Sequence, residues 1–367
     1  MRDVPTVSVV ITNHDYARFL PAAIDSALGQ EHANTEVVVV DDGSTDESRG
    51  LIASYGDRIR PVLKPNGGQG SAVNAGFAAS RGEIVIFLDA DDLLLPTAAA
   101  EAVHLLAGDD TVKGHWPLLE VDEDGRQTGG VVPVGPLADG DLRELLSSSP
   151  SHVTPPQSGN AWSRSFLTRA LPMPEAPYRT GADTWLFVLA AGFGRVLRSA
   201  EPHGQYRRHA HQDGVSRAFE DQVDVWLRWH EPAWAALAVH CHRRGLPADV
   251  DAWRRNSWPG RLRAISAVLD RVIPADDAFV LIDEGHWAMR PDGRRRPLPC
   301  RAPSDDATAI AELEELRRRG ARFLVVAAEA SWWLDSYPEW RDHVMSNYRE
   351  AFAEDGLLIF ELQGPAA

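Results

Sequence analysis

Residues 84–92 read Ile-Val-Ile-Phe-Leu-Asp-Ala-Asp-Asp. An unbroken apolar run ends in three carboxylates, Asp89, Asp91 and Asp92. A run with no polar alternation predicts a strand covered on both faces, as in a parallel sheet. Carboxylates at its end cannot enter the core unpaired, because burying an isolated charge is costly. At the carboxyl edge of a sheet they form a seat for a hard divalent cation. A cation there would hold the phosphates of a nucleotide, which points to nucleotide-dependent transfer chemistry.

Working back toward the N-terminus, the same grammar repeats. Residues 7–12 form an apolar strand, and residues 16–28 fit a helix with Phe19, Leu20, Ala23, Ile24 and Ala27 on one face. Residues 36–40 are a second strand, followed by the turn Asp41-Asp42-Gly43-Ser44-Thr45-Asp46, where Ser44 or Thr45 can cap a helix reaching Tyr55. Residues 60–64 make a third strand, residues 66–70 a glycine-rich turn, and residues 71–80 a small-residue helix. Strands alternating with helices at this spacing predict a doubly wound, mostly parallel α/β sheet with right-handed crossovers. Ligands bind such sheets outside the carboxyl ends of the strands, where each polar cluster of this region falls.

Toward the C-terminus, an alanine-rich helix follows Pro96, and residues 112–134 are strand-like with Asp124-Gly125 as a hairpin turn. Residues 147–160 are a long polar loop, suited to the mobile part of an acceptor site. Residues 184–191 predict a helix after Asp183, and residues 201–208 a strand leading into His209-Ala210-His211. Residues 218–273 are helical and rich in tryptophan, and from 274 a small α/β unit begins, with a helix expected over 339–354. The expected divisions are therefore 1–217, 218–273 and 274–367, with no chemistry assignable to the last. Its Trp332, Trp333 and Tyr337 are expected to pack between domains.

The chain has 367 residues, 44% of them hydrophobic, enough for a real core in more than one domain. With 37 Lys and Arg against 53 Asp and Glu, the net charge of −16 argues against nucleic acid and anionic membrane as partners. Cys241 and Cys300 form no disulfide or zinc pattern. Cys241 lies between His240 and His242, but it shares helical spacing with Trp234 and Leu237, which predicts a buried helix face. No signal peptide or membrane span is visible, so a cytoplasmic protein is expected. Homo-oligomerisation stays open.

Each motif alone is weak. Asp41-Asp42-Gly43-Ser44 makes a capped turn but also offers a carboxylate to a pyrimidine N–H, and Thr12-Asn13-His14 offers contacts to a base or ribose. Asn66-Gly67-Gly68-Gln69-Gly70 lets a ligand approach the backbone, yet matches neither a Walker A loop nor GxGxxG. In order and at these spacings, over residues 7–14, 36–46, 66–76 and 81–92, they resemble family 2 glycosyltransferases of the GT-A fold. The resemblance is strong over residues 5–110, thins to about 215 and ends there.

The resemblance implies a sugar donor activated by a nucleoside diphosphate, usually UDP, a divalent metal (Mn or Mg), and an acceptor hydroxyl. It implies that Thr12 and Asp42 bind the base, with His14 in the same group, that Asp89 binds the ribose and that Asn74 lies near the donor. Ala90 falls in the donor-binding segment, and Asp91 would hold the metal. The stretch Gln205-Tyr206-Arg207-Arg208-His209 resembles the family's Tyr-Arg-x-His segment, which favours His209 over His211 as a second ligand. His14 and Asp15 depart from the aromatic and Asn common in relatives. Asp183 follows Ala182 where the family has Glu-Asp, leaving Asp183 as the base of an inverting transfer. Trp162 and Trp185 are readable as sugar-stacking or as core. A nucleotidyltransferase would carry a basic glycine loop after the first strand, which Thr12-Asn13-His14-Asp15 lacks. A scaffold with a decayed transferase half is the alternative from another class, and the intact Asp89 and Asp91 count against it.

Overall fold

In the computed structural model, residues 4–210, 219–283, 287, 296–300 and 303–362 are described. The predicted alternation appears as β1 (Val7–Asn13), α1 (Leu20–Leu28), β2 (Thr35–Asp42), α2 (Ser48–Ser54), β3 (Arg60–Lys64), α3 (Gln69–Ala79) and β4 (Ile84–Asp89). Beyond it come β5 (Leu93–Leu94), α4 (Ala98–Leu105), β6 (Thr111–His115), β7 (Leu118–Val121), β8 (Gln127–Val132) and β9 (Gly140–Asp141). Then follow β10 (Asn160–Ser163), α5 (Arg164–Ala170), α6 (Asp183–Phe193), β11 (Arg195–Arg198) and β12 (Gly204–Arg207).

The main sheet has the order β3-β2-β1-β4-β10-β6-β11-β9. β10 runs antiparallel to β4 and β6, and β9 to β11, while the other neighbours are parallel. Side chains of a strand point alternately to opposite faces, and both faces here are covered. Val10, Val38, Val40, Val85 and Phe87 join one core cluster, which includes Val73 of α3 and Leu186 of α6. Val9, Ile11, Val37, Val39, Ile86 and Leu88 join the other, with Ile24 of α1 and Ala102 of α4. That two-sided burial is why the strands lack alternation. From β1 the chain steps to β2 and β3 on one side, then returns to β4 on the other. The reversal opens a crevice at the carboxyl ends of β1, β2 and β4. A smaller sheet, β5-β12-β7-β8, lies within the same unit and brings β12 beside the segment after β4.

The helical segment divides as α7 (Phe219–Arg244), α8 (Val250–Asn256) and α9 (Trp258–Val272). Contacts split the chain into two units, Met1–Val215 with Trp226–Ser257, and Ser216–Val225 with Trp258–Ala367. The expected helical subdomain is thus shared out between two bodies. The reason lies in its side chains: Ala233, Trp234, Leu237, Cys241 and Trp253 are buried in the first unit's core, and Trp253 donates its indole N–H to Leu146 O at 2.7 Å. His240 stacks on Phe193 at 3.7 Å, as a residue of that helix face.

The second unit holds β13 (Ala278–Ile282), β14 (Arg296–Pro299), α10 (Asp306–Arg318), β15 (Ala321–Val326), α11 (Trp333–Ser336), α12 (Pro338–Asn347), β16 (Arg349–Glu354) and β17 (Leu357–Glu361). Its sheet order is β14-β13-β15-β17-β16. The helix expected over 339–354 stops at Asn347, and 349–354 is a strand instead. Asp355 (φ 51°) and Gly356 (φ 78°) make a two-residue hairpin turn that folds β16 onto β17. Trp333 and Trp340 are buried in this unit's own core. Neither Ser44 nor Thr45 caps α2; Asp46 accepts from the Ser48 amide at 2.9 Å instead. Among the described residues, no helix is long and apolar enough to cross a membrane.

Candidate active site

The strand ladders set the first positions. Thr12 at the end of β1 has Asp89 beside it on β4, and Asn13 has Asp41 beside it on β2. Asn13 donates to Asp41 (3.3 Å) and to Ser44 Oγ (3.1 Å). Burial opposes charge on Asp41, but hydrogen bonds from Ser44 and Arg49 outweigh it and hold the carboxyl below its ordinary range. Asp15, at φ 57°, accepts from the Thr45 amide at 2.6 Å, and Asp46 accepts from the Ala17 amide at 2.8 Å. The loops after β1 and β2 are therefore latched to each other by carboxylates. His14 lies on this latch, half exposed, against the Asn66 amide.

Asp42 points toward the glycine turn. It accepts from Lys64 Nζ (2.5 Å), the Gly67 amide (2.9 Å) and the Gly68 amide (2.6 Å). The turn's glycines serve an approach that the sequence does not announce. Gly68 has φ 89°, and a Cβ there would stand 2.5 Å from Arg179 Cα. The close approach is thus to the protein's own segment before α6. Gln69 completes that joint: its amide donates to Arg179 O at 3.0 Å, and its Oε1 accepts from the Ala182 amide at 3.0 Å. Asn74 pairs with the backbone of Met173 through both ends of its amide, each at 2.9 Å. Expected near the donor, Asn74 instead fastens the chain that leads to Asp183.

The carboxylates of β4 are held from several directions. Asp89 accepts from Gln157 Nε2 at 2.5 Å and from Gln69 Nε2 at 3.5 Å. Asp92 accepts from Ser158 Oγ (2.6 Å) and the Arg207 amide (3.0 Å). Asp91 is partly open, with its Oδ2 3.0 Å from His209 Nε2. His209 is enclosed, edge-on to Tyr16 at 5.7 Å and against Phe19 at 4.9 Å. Arg207 lies over Phe19 and donates to Asp91 O at 2.8 Å, so β12 fixes both sides of the Asp91–His209 pair. Ala90 is buried among apolar neighbours, and its side chain faces the core. His211 lies outside the described residues. Trp162, stacked on Phe166 and Phe187, and Trp185, which donates to Ala170 O at 2.8 Å, are both core.

Asp183 opens α6, next to this cluster. Burial pushes its carboxyl up to about 6, against the Thr184 amide and the pull of Lys113. Burial, then repulsion from Asp91 and Asp183, raises Asp89 well above the carboxylate range, against hydrogen bonds from Gln157 and Gln69. Asp92 is raised likewise by burial, then by Asp91 and Asp89. A crevice with this much confined negative charge suits a cation, which would offset each repulsion. Among the described residues no group of three His, Cys, Asp or Glu side chains converges on one point. Asp91 and His209 would be the protein's ligands, with the remaining positions left for ligand oxygens and water.

One consequence concerns stability. In Asp92→Asn the amide oxygen still accepts from Arg207 and the amide N–H₂ can donate to Ser158, while the buried charge is gone. The metal-free variant is expected to melt higher by roughly 1 kcal/mol or more of stability. A raised carboxyl loses stability as pH climbs from the unfolded range through its folded value. The gain should therefore be larger at pH 8 than at pH 4, checked by thermal melts in chelator. An equal or lower melting point at pH 8 would contradict this electrostatic reading.

Residues 8–131 match the family model described as Glycosyl transferase family 2. An uncharacterized glycosyltransferase of Nostoc sp. is 36% identical over 217 residues, covering 58% of this chain and 67% of the relative. The chain belongs to glycosyltransferase family 2. A further relative of this glycosyltransferase is the succinoglycan biosynthesis protein ExoO of Rhizobium meliloti, 28% identical, with 61% of this chain and 66% of ExoO covered. Against a Rickettsia prowazekii glycosyltransferase the match covers 32% of the relative. In fold, the glycosyltransferase is similar to S. aureus TarS 1-349 in complex with UDP-GlcNAc, at TM-score 0.50, 17% identity and 98% of each chain.

The glycosyltransferase's crevice brings together Thr12, Asp89, Asp91, His209 and Asp183, while Asn74 and Ala90 turn to the protein itself. Gln69, Gln157, Ser158 and Arg207 hold the others in place. Gln69 lies inside the glycine turn and Arg207 inside the Tyr-Arg-x-His segment, whereas Gln157 and Ser158 carry no motif signal.

Proposed function

We propose that this glycosyltransferase moves a sugar from a nucleoside-diphosphate donor, UDP-linked, to an acceptor hydroxyl with inversion, assisted by a divalent cation. The observation that carries the reading is the pairing of Asp91 with His209 at 3.0 Å, beside Asp89 and within reach of the charge of Asp183. Mn or Mg, when bound at Asp91 and His209, supplies Lewis-acid stabilisation to the leaving diphosphate; the imidazole suits Mn better than Mg. Thr12 and Asp89, adjacent across the ladder, face the nucleoside, with Asp89 accepting from a ribose hydroxyl. Asp183 takes the acceptor's proton onto a carboxylate oxygen as the hydroxyl oxygen attacks the anomeric carbon. A carboxyl near 6 is matched to that task at neutral pH. The UDP-GlcNAc bound by TarS supports a uridine donor, and ExoO's part in succinoglycan biosynthesis supports a polysaccharide or glycoconjugate product.

The test is a thermal-shift screen of nucleotides and nucleotide sugars with and without Mn. A ligand at a hundredfold excess over its Kd adds about 2.7 kcal/mol, a rise of roughly 5 °C or more. UDP with Mn is expected to give that rise, and UDP without Mn much less. No shift with any nucleotide would reverse the reading in favour of a scaffold.

A further inference from the structure

Lys113 stands in the middle of the main sheet. It lies on β6 between Val112 and Gly114 and is fully buried. Its amine donates to the Thr154 hydroxyl and lies over the rings of Phe187 (4.6 Å to the centroid) and Trp162 (5.4 Å). Phe187 stands four residues after Asp183 on α6, so both project from one side of the helix. The amine therefore lies under the face of α6 that carries Asp183. Burial drives the Lys113 amine well below its ordinary range, and the group that opposes this, favouring the ammonium, is the Asp183 carboxylate.

Asp183 also lies within electrostatic reach of the Asp89 carboxyl at the end of β4. The titratable groups around it are thus Asp89 from β4 and Lys113 from β6. Behind Lys113 stand His115 on β6 and His152 in the polar loop. Burial first, and then Lys113, drives these two histidines down to about 2 and about 3. Neutral imidazoles add no competing positive charge, so Lys113 is the cation that Asp183 meets from β6.

We propose that Lys113 is a positioning residue for transfer, its buried ammonium serving as the counter-charge that keeps Asp183 an anion beside Asp89. The inference rests on the reading of Asp183 as the base. It explains why a strand in the core of the sheet carries a lysine at all: an apolar residue there would leave only backbone amides, that of Thr184 first, to favour the charged form of Asp183 against burial.

The experiment uses Lys113→Met in the full chain, which keeps the length of the side chain without its charge. Two profiles are recorded against pH: the saturated transfer rate, and the carboxyl titration of Asp183 by infrared difference against Asp183→Asn. Both are expected to move up by about one pH unit or more, with the rate recovering at high pH. If the titration moves and the rate profile does not, the counter-charge stands and the base role of Asp183 falls. If the titration stays at its wild-type position, the counter-charge is overturned and the base role is untouched. Thermal melting gives a second readout should the single variant be too weakly folded for kinetics. Lys113→Met with Asp183→Asn is expected to melt above Lys113→Met alone, and a pair melting no higher would overturn the proposal.

Discussion

Asp91→Asn should fold as well as the parent and lose donor turnover by about a thousandfold, the equivalent of roughly 4 kcal/mol of lost charge stabilisation. Folding is spared because the side chain is partly open and bonds to His209, a contact that an amide oxygen can keep. Removing its charge also relieves Asp89 and Asp92, both raised in part by Asp91. What the variant lacks is the anionic half of the Asp91–His209 pair. The checks are transfer rate against Mn concentration and calorimetry of Mn with UDP. Undiminished transfer would remove Asp91 from the mechanism.

Asp183→Asn should bind UDP within a few fold of the parent while the saturated rate falls by about 10²–10⁴, the usual contribution of a general base. Donor binding is expected to survive because Asp183 opens α6, whereas the ribose and metal positions belong to β4 and β12. The parent's rate should fall as pH drops through about 6, since the base works only when ionised, and that acid limb should vanish in the variant. Weak donor binding with normal turnover at saturation would instead make Asp183 a donor-binding residue.

How much of this was legible before folding differs from residue to residue. Asp89 and Asp91 could be read directly, because a buried strand that stops at carboxylates is visible in nine consecutive letters. His209 could be read only through the resemblance of its segment to the family's Tyr-Arg-x-His. Its contact with Asp91 joins residues 118 positions apart, which no local pattern encodes. Asn74 was read as donor-facing from its place in a motif, yet both ends of its amide bond Met173, 99 residues away. Residues 349–354, expected to continue the helix from 339, form β16 instead, because the pairing with β17 that makes them a strand is not encoded in their own spacing.

Period, chain breaks and charge at strand ends are local properties, and they alone settled the doubly wound sheet and the rim on which its ligands bind. The partnering of polar groups was decided by closure: Gln69, Gln157 and Lys113 acquire their roles only when loops and strands distant in sequence meet. Water satisfies such groups anywhere along an open chain. Once it is excluded, each must bond or pair with whatever the packed backbone brings near.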